Sequence, residues 1–118
     1  NVLPDLKANG RLTLGENLAD NGGLQVAWTA YKNATKINAL GEKDGLTADQ
    51  RFFHAYAGVW AGNITEEEIR NRTKSDPHSL GRWRVNGALP HIDAWYDAFG
   101  VKEGDKMFIP KSERLQLW

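Results

Sequence analysis

Glu16 and Asp20 stand four residues apart in the run Leu12-Thr13-Leu14-Gly15-Glu16-Asn17-Leu18-Ala19-Asp20-Asn21-Gly22-Gly23-Leu24. Four residues is about one helical turn, so in a helix both carboxylates project from one face. No Lys or Arg lies between Arg11 and Lys32 to neutralise them. Like charges at this spacing slightly destabilise a helix, and a cation or a metal brought from elsewhere would reverse that sign. On spacing alone two readings stand. Glu16 is a capping-box glutamate with Asp20 a solvated neighbour, or Glu16 is a metal-ligand carboxylate with Asp20 orienting a neighbouring ligand.

The other groups able to do chemistry are sparse. His54, His78 and His91 are the histidines, and none is spaced i, i+4 from another, so the chain holds no helical zinc pair. His54 sits among Phe53 and Tyr56 and reads as a surface or half-buried helix residue; His91 follows Pro90 and reads as structural. His78 differs, with Asp76 two residues before it and Arg82 and Arg84 after it. A loop histidine with an acid to orient it and cations beside it can stabilise an oxyanion. Arg84 lies between Trp83 and Val85, a setting that buries it in part. Its guanidinium fork suits a carboxylate or two carbonyls, and structural pairing is the plainer reading of spacing alone.

These residues must be positioned by a mainly α-helical chain. A helix is expected from Thr13, a cap with Glu16 three residues on, fading through Asn38 to Gly41. Leu14, Leu18, Trp28 and Tyr31, with Leu24 and Ala27 beside them, form its apolar side, and Gly22-Gly23 suggests close backbone packing or a bend. Thr47-Ala48-Asp49-Gln50 is a second capping box, opening a helix to about Trp60 with Phe52, Phe53, Tyr56, Val59 and Trp60 on its face. Thr65 caps a third helix with Glu66, Glu67 and Glu68 in its first turn and Arg70, Arg72 and Lys74 near its end, as the helix dipole favours. Asp76-Pro77-His78-Ser79 breaks the pattern, and Gly81 and Gly87 weaken a helix over Leu80 to Leu89. Ile92, Trp95, Tyr96 and Phe99 make a last amphipathic helix closed by Gly100, and the tail from Met107 is extended or loop-like.

With 118 residues the chain suits a single segment, 1–118, with one core built on Trp and Phe. Fifteen basic and fifteen acidic residues cancel, which argues against nucleic acid or an anionic membrane surface as the main partner. No apolar run approaches the roughly 20 residues that span a bilayer. The absence of cysteine excludes disulfides, thiolate nucleophiles and Cys-bound zinc. Asn33, Asn63 and Asn71 stand in Asn-X-Thr sequons, which matter only in a eukaryotic secretory setting.

Three stretches together resemble one family. The Glu16-Asn17-Leu18-Ala19-Asp20-Asn21-Gly22-Gly23 run is similar to the Glu-Asn-X-Ala-Asp-X-Gly-Gly segment of the neprilysin-like (M13) zinc metallopeptidases. Tyr56-Ala57-Gly58-Val59-Trp60-Ala61-Gly62 resembles that family's Ala-X-Val-Trp-Cys-Gly stretch, with Ala61 in the Cys position. Asp76-Pro77-His78-Ser79-Leu80-Gly81-Arg82-Trp83-Arg84-Val85-Asn86-Gly87 resembles Asp-X-His-Ser-Pro-X-X-X-Arg-X-X-Gly, with Leu80 for Pro, and Trp118 ends the chain as family members typically end.

The resemblance implies the C-terminal helical part of a thermolysin-like zincin catalytic domain, acting on peptide substrates with zinc as cofactor. Glu16 would be the third protein ligand of the zinc, after two histidines, and Asp20 would hold one of those histidines. His78, oriented by Asp76, would hydrogen-bond the tetrahedral oxyanion. Arg84 would grip a backbone carbonyl of the peptide, and Val59 and Trp60 would line the apolar pocket for the side chain after the cut bond. The family's His-Glu-X-X-His helix is absent from this chain. It is expected upstream of Asn1, in the remainder of the same peptidase, so the segment by itself is expected to be inactive. The missing cysteines suggest a bacterial-type member, and the family suggests the cell envelope, periplasm or exterior as its location. The competing expectation is a non-catalytic helical module that keeps the fold and binds peptides through Arg84 and the Val59/Trp60 pocket.

Overall fold

A computed structural model describes residues 1–117; Trp118, the terminal residue of the resemblance, lies outside the described residues. The order of elements is α1 (Gly10–Ile37), α2 (Ala48–Val59), α3 (Glu66–Ser75), α4 (Gly81–Ala88), a 3-10 turn (Leu89–His91), α5 (Asp93–Phe99) and a second 3-10 turn (Lys111–Glu113). Among the described residues extended pairing is confined to two isolated bridges, Leu3 with Leu6 and Lys43 with Leu46. None of their helices is long and apolar enough to cross a membrane.

α1 begins one turn earlier than expected. Its cap is Asn9, whose side-chain oxygen accepts from Leu12 N at 3.2 Å. Asparagine caps as well as serine or aspartate does, so it takes the terminus ahead of Thr13. Thr13 is instead inside the helix, 7% exposed, with its hydroxyl donating to the Asn9 carbonyl. The capping-box reading of Glu16 is therefore wrong, and its carboxylate is left for other partners. The helix runs unbroken through Gly22-Gly23 to Ile37, with Asn38 as its C-cap. Gly22 is buried, whereas Gly23 is exposed and nothing stands within 4 Å of where its Cβ would lie.

α2 and α3 start where their caps predict. Thr47 and Gln50 form the reciprocal capping box of α2, and Thr65 accepts from Glu68 N at the start of α3. α4 is real despite its glycines, and Gly81 is required: a Cβ there would lie 2.6 Å from the Trp60 carbonyl oxygen. Gly100 closes α5 in the left-handed region, φ 63°.

The core holds Leu24, Phe53, Ala88, Leu89, Ile92, Trp95 and Tyr96. Trp28 stacks on Phe53 with centroids 5.2 Å apart, and Tyr31 on Phe52 at 5.0 Å. The buried stripe of α1 is not wholly the one its leucines suggest. Leu14 is 56% exposed and Ala27 is exposed, while Thr13 and Asn21 are buried. Asn21 accepts from Gln25 Nε2 at 2.9 Å through its side-chain oxygen. α1 therefore turns an apolar side to α2 along its second half and a polar side to α4 along its first.

Candidate active site

The polar side of α1 meets α4 and the α3–α4 loop. Asp20 and Arg84 are 64 positions apart in sequence and form a two-pronged ion pair, Nε to Oδ2 and Nη2 to Oδ1, both at 2.6 Å. Their side chains are 12% and 13% exposed. Fork-to-fork pairing of this kind fixes orientation as well as charge. The Asp20 carboxylate holds the Arg84 guanidinium more firmly in its charged form, against the cost of burial. Asp20 thus has the cation that its own helix lacks.

Arg84 is held on two further sides. The Trp60 ring lies under its guanidinium, with Cζ 3.9 Å from the ring centroid. The Tyr56 hydroxyl donates to the Arg84 carbonyl at 3.0 Å. Burial pushes the Tyr56 pKa up, and the Asp20 charge pushes it the same way, so the phenol keeps its proton. Nε and Nη2 are engaged by Asp20, which leaves Nη1 with no hydrogen-bond partner among the described residues. The sequence signals neither the Tyr56 contact nor the Trp60 stacking, because both residues read there as parts of an apolar face.

His78 lies at the loop connecting α3 to α4. Asp76 Oδ1 accepts from the His78 backbone N–H at 2.9 Å and sits 2.7 Å from its Nδ1. The backbone N–H first, and then the imidazole, hold the Asp76 carboxyl below the usual range. With Nδ1 turned to Asp76, Nε2 is the atom left for another partner. It faces Glu16, 3.4 Å from Oε2. Ser79, next in the chain, donates to Asn17 Oδ1 at 2.8 Å.

The residues singled out in the sequence form one neighbourhood with two subsets. Val59, Trp60, Asp76, His78 and Arg84 line one cavity of about 570 Å³, together with Ile69. Val59 is 73% exposed and stands as an open wall. Glu16 approaches His78 from α1, and Asp20 lies on the far side of the Arg84 guanidinium.

As a metal ligand Glu16 fits in part. Its carboxylate is 43% exposed and its one ion-pair contact among the described residues is His78. No group of three or more metal-ligating side chains occurs among the described residues. The donor set here suits one oxygen ligand of a zinc ion and not a complete site.

Comparison with known proteins agrees across nearly the whole chain. The model of Peptidase family M13 matches residues 2–115. Human endothelin-converting enzyme 1 is 40% identical over 113 residues, covering 93% of this chain and 14% of that protein. Neprilysin-1 of Caenorhabditis elegans is 40% identical over 119 residues, covering 97% of this chain and 16% of that protein. A crystal structure of the Mycobacterium tuberculosis zinc metalloprotease Zmp1 in complex with an inhibitor superposes with a TM-score of 0.88 at 38% identity. The match covers 94% of this chain and 17% of that one. The chain thus spans a small part of the length of the proteins it resembles.

Proposed function

The chain belongs to peptidase family M13, and from that membership we propose that it supplies the C-terminal part of a zinc endopeptidase active site. Glu16 is the carboxylate ligand, and two nitrogen ligands come from the upstream remainder of the same polypeptide. When bound, the zinc supplies a water of lowered pKa and a Lewis acid for the scissile carbonyl. This chain's residues do the rest of the work that falls to them. Asp20, whose oxygens keep accepting capacity beyond the Arg84 pair, orients an upstream ligand. His78, turned by Asp76, offers Nε2 to the developing oxyanion. Arg84 Nη1 donates to a backbone carbonyl of the peptide, and Val59 and Trp60 receive the side chain after the cut bond.

The observation that supports this reading best is the convergence of Glu16, Asp20, His78 and Arg84 from three parts of the chain. A fold kept for peptide binding alone has no need of Glu16 beside His78. Expressing the full-length polypeptide, with Glu16→Gln beside the wild type, tests it. Bound zinc and cleavage of an internally quenched peptide are measured in each. We expect zinc in the wild type, and loss of both zinc and cleavage in the variant. Zinc content and rate unchanged by Glu16→Gln would overturn the ligand assignment. A full-length protein with neither zinc nor cleavage would leave the peptide-binding module as the better reading.

A further inference from the structure

We propose that Asn17 and Ser79 are positioning residues that set the distance between His78 and Glu16. The inference rests on the reading of His78 as the oxyanion donor. His78 belongs to a short irregular stretch between two helices, and its side chain is 46% exposed. Its two bonds to Asp76 are local and fix the imidazole relative to its own loop. They do not fix the loop relative to α1, where Glu16 stands.

The Ser79–Asn17 bond does. Among the described residues it is the only hydrogen bond between residues 76–80 and α1. It joins the residue after His78 to the residue after Glu16. It is also the first member of a chain in which every donor points the same way. The Ser79 hydroxyl donates to Asn17 Oδ1 at 2.8 Å, and Asn17 Nδ2 donates to Thr13 Oγ1 at 3.4 Å. The Thr13 hydroxyl in turn donates to the carbonyl of Asn9, the cap of α1, at 3.2 Å. Each side-chain acceptor in it is used once, the Asn9 carbonyl takes the Thr13 backbone N–H as well as the hydroxyl, and the donors run in one consistent direction. Thr13 is buried, which anchors the inner end. The outer end then holds His78 Nε2 at 3.4 Å from the Glu16 carboxylate. Catalytic donors displaced by an ångström lose about 100-fold in rate, so a loop left to drift would forfeit most of what His78 contributes.

In the full-length peptidase, Ser79→Ala removes the donor with little change of volume. Loss of a partner behind a catalytic residue typically costs about 10- to 100-fold. We expect a fall of that order in kcat with KM within about twofold, and bound zinc and the melting temperature unchanged. Ser79→Thr, which keeps the hydroxyl, should restore most of the rate. A readout without turnover separates positioning from general damage. Ser79→Ala should weaken a peptide phosphonate, which mimics the tetrahedral oxyanion, and leave a peptide thiol inhibitor unaffected. In a His78→Ala background the same substitution should have no further effect on kcat.

An unchanged kcat in Ser79→Ala, with His78→Ala impaired, overturns the inference and leaves the role of His78 standing. A loss of zinc, or a fall in kcat that persists in full in the His78→Ala background, makes Ser79 merely structural and overturns it equally. If His78→Ala itself leaves kcat unchanged, the reading of His78 fails and the inference falls with it.

Discussion

The two halves of α1 are held by different forces. In the second half Trp28 and Tyr31 meet Phe52 and Phe53 ring to ring, with centroids about 5 Å apart. In the first half the contacts to the α3–α4 loop and α4 are polar: Asp20 with Arg84, Asn17 with Ser79, Glu16 with His78. Burial of apolar surface is non-directional and tolerates small shifts, whereas hydrogen bonds weaken steeply with distance and angle. One helix thus carries stability at one end and geometry at the other. The long continuous backbone, unbroken through Gly22-Gly23, lets the first serve the second.

The sharpest way to break that comparison is to damage the apolar half. Phe53 is 2% exposed and lies between Trp28 and Phe99. Truncation of a buried Phe to Ala typically costs about 3–5 kcal/mol. In the full-length protein Phe53→Ala should lower the melting temperature, with kcat and KM of the proposed peptidase activity nearly unchanged in the folded fraction at a permissive temperature. A matching loss of kcat there would show that the two halves are not separable.

Asp20 is where the halves should meet, and its effect on stability is expected to be somewhat smaller. Removing one partner of a largely buried pair strands the other charge, at a cost of about 3 kcal/mol. If Asp20 orients a zinc ligand as proposed, its loss should also lower zinc affinity by about 10- to 100-fold. Asp20→Ala is therefore expected to lower both the melting temperature and zinc occupancy. On the proposed reading Arg84→Ala should instead raise KM, since Nη1, which has no partner among the described residues, would serve substrate rather than the metal. The stability losses of the two should not add in the double variant, because they share one interaction. Full additivity would mean that the 2.6 Å contacts do not govern the energetics of the pair.

The same division explains what could be read from the chain. The apolar half follows from spacing and caps. Phe52, Phe53 and Tyr56 recur at helical intervals behind a Thr47/Gln50 box, and the structure places that helix within a residue of expectation. Thr13 with Glu16 showed an equally good box, yet Asn9 lies one turn ahead and takes the terminus. Two legitimate caps in succession compete, and propensity alone does not rank them. The polar half was legible only as a set of motifs. Nothing in local spacing says that Asp20 meets Arg84, or Asn17 meets Ser79, because those pairings cross more than sixty residues. Tyr56 shows the limit well. Its ring belongs to the apolar pattern, while its hydroxyl serves the polar one.

The smallest expected effect concerns how the tail is seated between α1 and the 3-10 turn after α4. His91 Nδ1 accepts the Leu115 N–H at 3.0 Å, and Gln25 Nε2 on α1 donates to the Leu115 carbonyl at 3.1 Å. Accepting at Nδ1 requires that nitrogen to be unprotonated. Burial pushes the His91 pKa below its ordinary value of about 6.5. The unfolded chain therefore takes up the proton first, so this contribution to stability is complete above about pH 6.5 and declines as pH falls from there through the lower folded value. Arg114 holds the Asp93 carboxyl below its usual range, so the neighbouring Arg114–Asp93 pair survives that window and does not mask the effect. One hydrogen bond is worth on the order of 1 kcal/mol. Amide exchange in the full-length protein should then show Leu115 losing about fivefold in protection between pH 7.5 and pH 5, after correction for intrinsic rates, for a loss of about 1 kcal/mol. The Ile92 amide, bonded to the Leu89 carbonyl one turn away, should hold its protection. If Leu115 and Ile92 lost protection together, the tail would be loosening with the core and not at His91.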